Sequence, residues 1–150
     1  MKENYSIGLL IFSSESMQNN FIGEEVVIGM CWNSEAEYII QKDSRFAFLF
    51  PKEGAIMSID NFAILRNSKN IINAHKFINF IMRPEISKII MENFLITIPN
   101  FKAKNLLSEK IIANDILFPN NFQVQNSVMQ EYLHGITNKY LALWERLKEF

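Results

Sequence analysis

The apolar positions of this chain fall into blocks whose spacing changes from strand-like to helix-like and back. Glu25 to Trp32 is an apolar, β-branched run, the pattern of a buried parallel strand. Asn33 or Ser34 can then cap a helix running to about Lys42, with Ala36, Ile39 and Ile40 on one face. Arg45 to Phe50 reads as a second buried strand, stopped by Pro51. Strand, helix, strand is a crossover unit and predicts an α/β fold, a parallel sheet flanked by helices.

Lys52 to Ala55 is a polar turn, and Ile59 to Ile64 reads as a third strand. Ser68 or Asn70 caps the next helix, which carries Ile71, Ala74, Phe77, Ile78 and Ile81 at helical spacing. Pro84 suits the first turn of a further helix, Glu85 to about Phe94, with Ile86, Ile89, Ile90 and Phe94 on its inner face. Thr97 to Lys102 is expected to be an extended link, Leu106 to Asn114 a short helix and Asp115 to Gln125 irregular. Ser127 opens the expected final helix, in which Gly135 would weaken the middle.

Composition narrows the reading. The 150 residues could bury one core, and length alone favours a single domain. The chain is 49% hydrophobic and 21% charged with a formal net charge of -1. It has no basic stripe to suit nucleic acid and no acidic tail. No apolar run nears the about 20 residues that cross a bilayer, so no direct membrane insertion is expected. Lys2 precedes a short apolar run, Ile7 to Phe12, and Ser13-Ser14-Glu15-Ser16 makes a poor cleavage site. This segment reads as the close of a helix and a loop rather than an export signal.

Candidate chemistry is sparse. Cys31 is the only cysteine and reads as a small packed hydrophobe. His75 and His134 are too far apart to pair on a metal, and no carboxylate cluster joins them. No nucleophile–base pair or glycine-rich phosphate loop occurs. The chain therefore reads as a non-enzyme with no metal and no cofactor. Asp60 stands out as an acid within an apolar run; burying it unpaired would be costly, so it either finds a partner within the fold or awaits a cation. Trp32, at the end of its expected strand, either caps the sheet or faces a ligand, because ligands of open α/β sheets sit beyond the strand ends.

Several landmarks then fall in register: Gly29-Met30-Cys31-Trp32-Asn33, Lys52-Glu53-Gly54, Ser58-Ile59-Asp60, Asn70, Phe77-Ile78-Asn79-Phe80, Arg83-Pro84-Glu85, Ile98-Pro99-Asn100 and Leu106-Leu107-Ser108. With these the chain, from about Phe12 to Lys148, resembles the second half of the spermidine/putrescine-binding proteins of bacterial polyamine importers. The resemblance implies the C-terminal half of a two-lobed type II periplasmic-binding-protein fold. Residues 1–57 and 109–150 would form one lobe, and 58–108 part of the other. It implies a polyamine held by carboxylates at its ammonium groups and by aromatic faces along its length.

On this resemblance Trp32 would stack on the ligand, Asp60 would pair with an ammonium, and Gln130 would contact an amine. Ser58 stands where family members usually carry a second tryptophan, which removes one aromatic wall. The implied partners are the polyamine, the family's missing first half as a separate chain, and a membrane permease driven by ATP hydrolysis. The implied location is periplasmic, against the reading of the N-terminus. The alternative is a truncated remnant that binds no ligand and has at most a structural or interaction role. On either reading, the Ile59–Ile64 strand and the helices from Ile71 to Phe94 would expose apolar faces.

Overall fold

The structure, a computed structural model, describes residues 17–131 and 135–148. The reading of Ile7 to Ser16 as helix end and loop, and the placement of His134, lie outside these residues.

The chain opens with a short helix, α1 (Met17–Ile22), which the sequence reading did not include. Its Phe21 is buried and meets Phe46 edge to face, with ring centroids 5.4 Å apart. Helix α2 (Asn33–Lys42) has the expected bounds, and its Ala36 and Ile39 are buried. Glu35 in its first turn and Lys42 in its last suit the helix dipole. The residue preceding its first turn is Trp32, in extended conformation, rather than Asn33 or Ser34. Asn33 turns its side chain away, donating from Nδ2 to the Ile116 carbonyl at 3.1 Å.

The three expected strands are not formed. Glu25–Trp32 is a loop in which Val27, Ile28 and Met30 are each at least 84% exposed. Arg45–Phe50 keeps a two-residue rhythm, with Phe46, Phe48 and Phe50 half-buried and Ala47 and Leu49 outward, but belongs to no ladder. Phe48 and Phe50 pack edge to face at 4.9 Å. Ile59–Ile64 is irregular, and Ile59 and Phe62 are exposed. Apolar content is not enough for a strand, because each N–H and C=O also needs a partner on a neighbour. Among the described residues the sheet has two strands.

Those strands are β1 (Ile56–Met57) and β2 (Val128–Met129), paired in parallel with Ile56 opposite Val128 and Met57 opposite Met129. The Val128 N–H donates to the Ala55 carbonyl at 2.8 Å. β1 thus lies just upstream of its expected place, and β2 replaces the start of the expected final helix. That helix, α8 (Thr137–Lys148), begins later. Gly135 lies before it at φ +78 rather than in its middle.

The turn into β1 explains Lys52-Glu53-Gly54. Lys52 and Glu53 are exposed, and the Gly54 N–H closes the turn onto the Pro51 carbonyl at 3.0 Å. Gly54 has φ +106, and a Cβ there would lie 1.9 Å from the Asn126 carbonyl oxygen. Only glycine combines this backbone with so close an approach.

Between β1 and β2 runs a helical crossover. Helices α3 (Ile71–Ile81) and α4 (Pro84–Phe94) match the expected spans, with Pro84 at the first helical position. The inner face of α4 is set by Ser87 and Met91, whereas Ile89 and Phe94 point outward, contrary to expectation. The expected exposure of apolar residues is present along α3 as well, at Ile71, Ile72, Phe77 and Phe80.

The expected extended link at 97–102 instead turns into α5 (Phe101–Lys104), because Asn100 caps it by accepting the Ala103 N–H at 3.1 Å. Helix α6 (Glu109–Ile112) is shorter than expected. Helix α7 (Asn121–Gln125) arises in the stretch read as irregular, where Asn120 and Gln123 form a reciprocal capping box. Met91, Ala103 and Leu107 form the core here, with Ile98, Ile111 and Phe118 packed against them.

Candidate functional site

The parallel pair fixes the relation between two of the four candidate residues. Ser58 follows Met57 out of β1, and Gln130 follows Met129 out of β2. Because Met57 and Met129 are in register, Ser58 and Gln130 leave the same end of the sheet side by side. The Gln130 N–H donates to the Met57 carbonyl at 2.7 Å, which fixes the backbone of that residue. This is the C-terminal end of both strands, where open α/β sheets present their ligands. Gln130 reaches this edge from an extended segment and not from the start of a helix.

Asp60 lies two residues beyond Ser58 on the same exit. Ser58, Asp60 and Gln130 are all exposed. The Asp60 carboxylate takes no hydrogen bond and no ion pair among the described residues; its neighbour Asn61 bonds the Ile59 carbonyl at 2.9 Å. Asp60 is therefore not an acid buried in a strand. Its charge is solvated, and the intramolecular partner considered from sequence is absent among these residues.

Trp32 stands on a different element. It precedes α2 and does not end a strand, and 54% of its surface is exposed, so it does not act as a buried cap. Its backbone N–H donates to Glu35 Oε2 at 3.1 Å. Neither a hydrogen bond nor a ring contact joins Trp32 to Ser58, Asp60 or Gln130 among the described residues.

Glu35 also acts on Cys31. The thiol is pushed up from its ordinary value, first by burial and then by the Glu35 charge. Sequence reading passed over Glu35, although its place three residues after Trp32 is the spacing at which a glutamate caps a helix start.

Two depressions lie elsewhere. One, of about 240 Å³, is formed where the Pro51–Gly54 turn meets Asn120, Phe122 and Asn126. The other, of about 360 Å³, lies between Ala63–Ser68 and Ala74 of α3. None of the four candidate residues lines either one. No group of three His, Cys, Asp or Glu side chains among the described residues could hold a metal, and His75 is exposed on α3. No helix of the described residues is long and apolar enough to cross a membrane.

Comparison with known proteins adds an independent line. Residues 4–120 match the family described as bacterial extracellular solute-binding protein. The spermidine/putrescine-binding periplasmic protein of Escherichia coli (strain K12) is 32% identical over 137 residues, covering 91% of this chain and 39% of that protein. Spermidine/putrescine-binding periplasmic protein 1 of Haemophilus influenzae is 27% identical over 140 residues, covering 93% of this chain and 39% of that protein. The putrescine-binding periplasmic protein PotF of Escherichia coli (strain K12) is 32% identical over 73 residues, covering 49% of this chain and 20% of that protein. The chain thus spans about two fifths of the length of the first two relatives.

Proposed function

Because the chain belongs to the bacterial extracellular solute-binding protein family, we propose that it supplies part of a polyamine cleft in the substrate-binding component of an ABC importer. The ligand class comes from the relatives, which are spermidine/putrescine-binding and putrescine-binding proteins. The observation that carries the reading is the exit of β1 and β2 at one sheet end, with Ser58, Asp60 and Gln130 exposed and the Asp60 charge unpaired among the described residues. A solvated carboxylate beside a hydroxyl and an amide offers an ammonium group one charge-assisted bond and two neutral acceptors. Trp32 supplies the aromatic face once the cleft closes. With serine rather than tryptophan at position 58, affinity is lower by about 0.5–2 kcal/mol than in a cleft with two indoles.

In this reading residues 1–57 and 109–150 belong to one lobe and 58–108 to part of the other. The remaining part of the relatives' length, supplied as a separate chain, completes the cleft. A permease takes the ligand onward, and the setting is periplasmic, as the relatives' names state for them. The chain contributes binding and no catalysis.

One observation favours the second reading, a truncated remnant without ligand binding. Val27, Ile28, Met30 and Leu49 are more than 80% exposed, a surface that a complete fold would cover. The two readings separate by calorimetry on the chain co-expressed with the unmatched portion of the Escherichia coli relative. Spermidine or putrescine binding that Asp60→Ala weakens by about 1.5–3 kcal/mol supports the cleft. No heat from the reconstituted pair supports the remnant.

A further inference from the structure

Helix α8 (Thr137–Lys148) carries none of the four candidate residues, and it begins beyond residue 120, where the match to the family model ends. All 12 of its residues are exposed. Among them are Tyr140, Leu141, Leu143, Trp144 and Leu147, each between 44% and 62% exposed. Tyr140, Leu143, Trp144 and Leu147 recur at i, i+3, i+4 and i+7, so they share one face of the helix. Leu141 widens that face beside Trp144.

Cations border this face on both sides. Lys139 and Arg146 lie along one border, each within a turn of Leu143, and Lys148 lies on the other, one turn from Trp144. Lys148 holds Glu145, the one acid of the helix, at 2.9 Å. Lys139 and Arg146 form no ion pair among the described residues. The helix is therefore basic, although the chain as a whole has a net charge of -1.

We propose that α8 lies on an anionic lipid surface, with Tyr140, Leu143, Trp144 and Leu147 below the headgroups and Lys139 and Arg146 among the phosphates. An apolar stripe with basic borders is the pattern of a helix that rests in the plane of a membrane. Lysine and arginine can lay their stems along apolar surface while their charges stay in water. Tyrosine and tryptophan pair an apolar body with a polar tip, which suits the headgroup boundary. The core of a protein–protein interface, by contrast, is depleted of lysine. The contact is peripheral, because no helix of the described residues is long and apolar enough to cross a membrane. It does not depend on the polyamine cleft, and either can fail alone.

The full chain is sedimented with vesicles of phosphatidylcholine alone, or of equal parts phosphatidylcholine and phosphatidylglycerol. Wild type is expected to sediment with the anionic vesicles and to be released by high salt. Lys139→Gln with Arg146→Gln is expected to bind about thirtyfold more weakly, and Leu143→Asp with Leu147→Asp to stay in the supernatant. Circular dichroism follows helix content. The glutamine pair leaves the apolar face untouched, so it carries the test if the aspartate pair loses its helix. A wild-type chain that ignores anionic vesicles overturns the proposal. Binding by the glutamine pair that equals wild type also overturns it, because another apolar surface would then be responsible.

Discussion

The side-chain nitrogen of Asn100 lies 3.2 Å from the hydroxyl oxygen of Ser87, and the same nitrogen lies 2.8 Å from the Met82 carbonyl. Ser87, fully buried, donates in turn to the Ile81 carbonyl at 2.8 Å. Two small polar side chains thus satisfy the end of α3 while locking α4 and α5 against it. This ties together Arg83-Pro84-Glu85 and Ile98-Pro99-Asn100, two landmarks that sequence could align but not explain. Asn100→Ala removes the α5 cap as well as the tie. It is expected to cost about 1–3 kcal/mol, measured as a lowered midpoint in urea. A midpoint equal to wild type would show the tie to be energetically idle.

Gly54→Ala tests the turn. Its left-handed backbone costs a side-chain-bearing residue about 1–2 kcal/mol, and the contact with the Asn126 carbonyl adds to that. The expected outcome is loss of the β1–β2 pairing, seen as faster amide exchange at Val128 and Gln130, whose N–H groups bond Ala55 and Met57. Unchanged protection at both amides would refute this account of the Lys-Glu-Gly turn.

Arg45 ties two stretches of chain together. Its guanidinium bonds Glu24 and Asp43, each at 2.6 Å, and Glu24 sits at φ 58 after α1. The Arg45 hydrogen bonds hold the Asp43 carboxyl below its ordinary value. A depressed folded pKa means that this stabilisation is complete above the ordinary carboxylate range and is lost as pH falls through the folded value. In Arg45→Met the Asp43 carboxyl is expected to titrate upward, toward the ordinary range, in a carbon-detected NMR titration. An unmoved titration would remove Arg45 as the cause.

The thiol of Cys31 reports on the charge of Glu35. Removing the Glu35 charge leaves burial as the larger cause of the raised pKa. Glu35→Gln should therefore lower the Cys31 pKa part of the way toward normal and speed its alkylation by iodoacetamide at pH 8. A rate equal to or slower than wild type contradicts the electrostatic link between the two side chains.

The exposed apolar loop predicts association. Val27, Ile28 and Met30 form one uncovered stretch, and such surfaces drive contact between molecules. Val27→Lys with Met30→Lys should shift the chain toward monomer on sizing while helix content stays constant. A wild-type chain that already elutes as a sharp monomer would contradict this.

The helices could be read from sequence because their signals are local. Asn33–Lys42 has its apolar face within ten residues, Pro84 marks its own helix start, and Ile71–Ile81 carries an unbroken stripe. The strands could not be read in the same way, because pairing depends on what lies alongside. Glu25–Trp32 and Ile59–Ile64 have strand composition and no strand paired with them among the described residues. Val128–Met129, with no distinctive pattern, is a strand because Ala55–Met57 lies beside it. The candidate site divides likewise. Ser58 and Asp60 belong to one legible run, whereas the approach of Gln130 is a long-range event that no local pattern encodes.

The pairing of Met57 with Met129 closes the long excursion from Ser58 to Ser127. Bringing such distant segments together carries an entropic cost that neighbouring helices avoid. Helices α3 to α5 can assemble through nearby contacts, whereas the two-strand clasp must wait for them. Contact order therefore predicts that Ser58 and Gln130 come side by side late in folding. Any weakening of the clasp is expected to scatter the sheet edge at Ser58 and Gln130 before it melts the helical part.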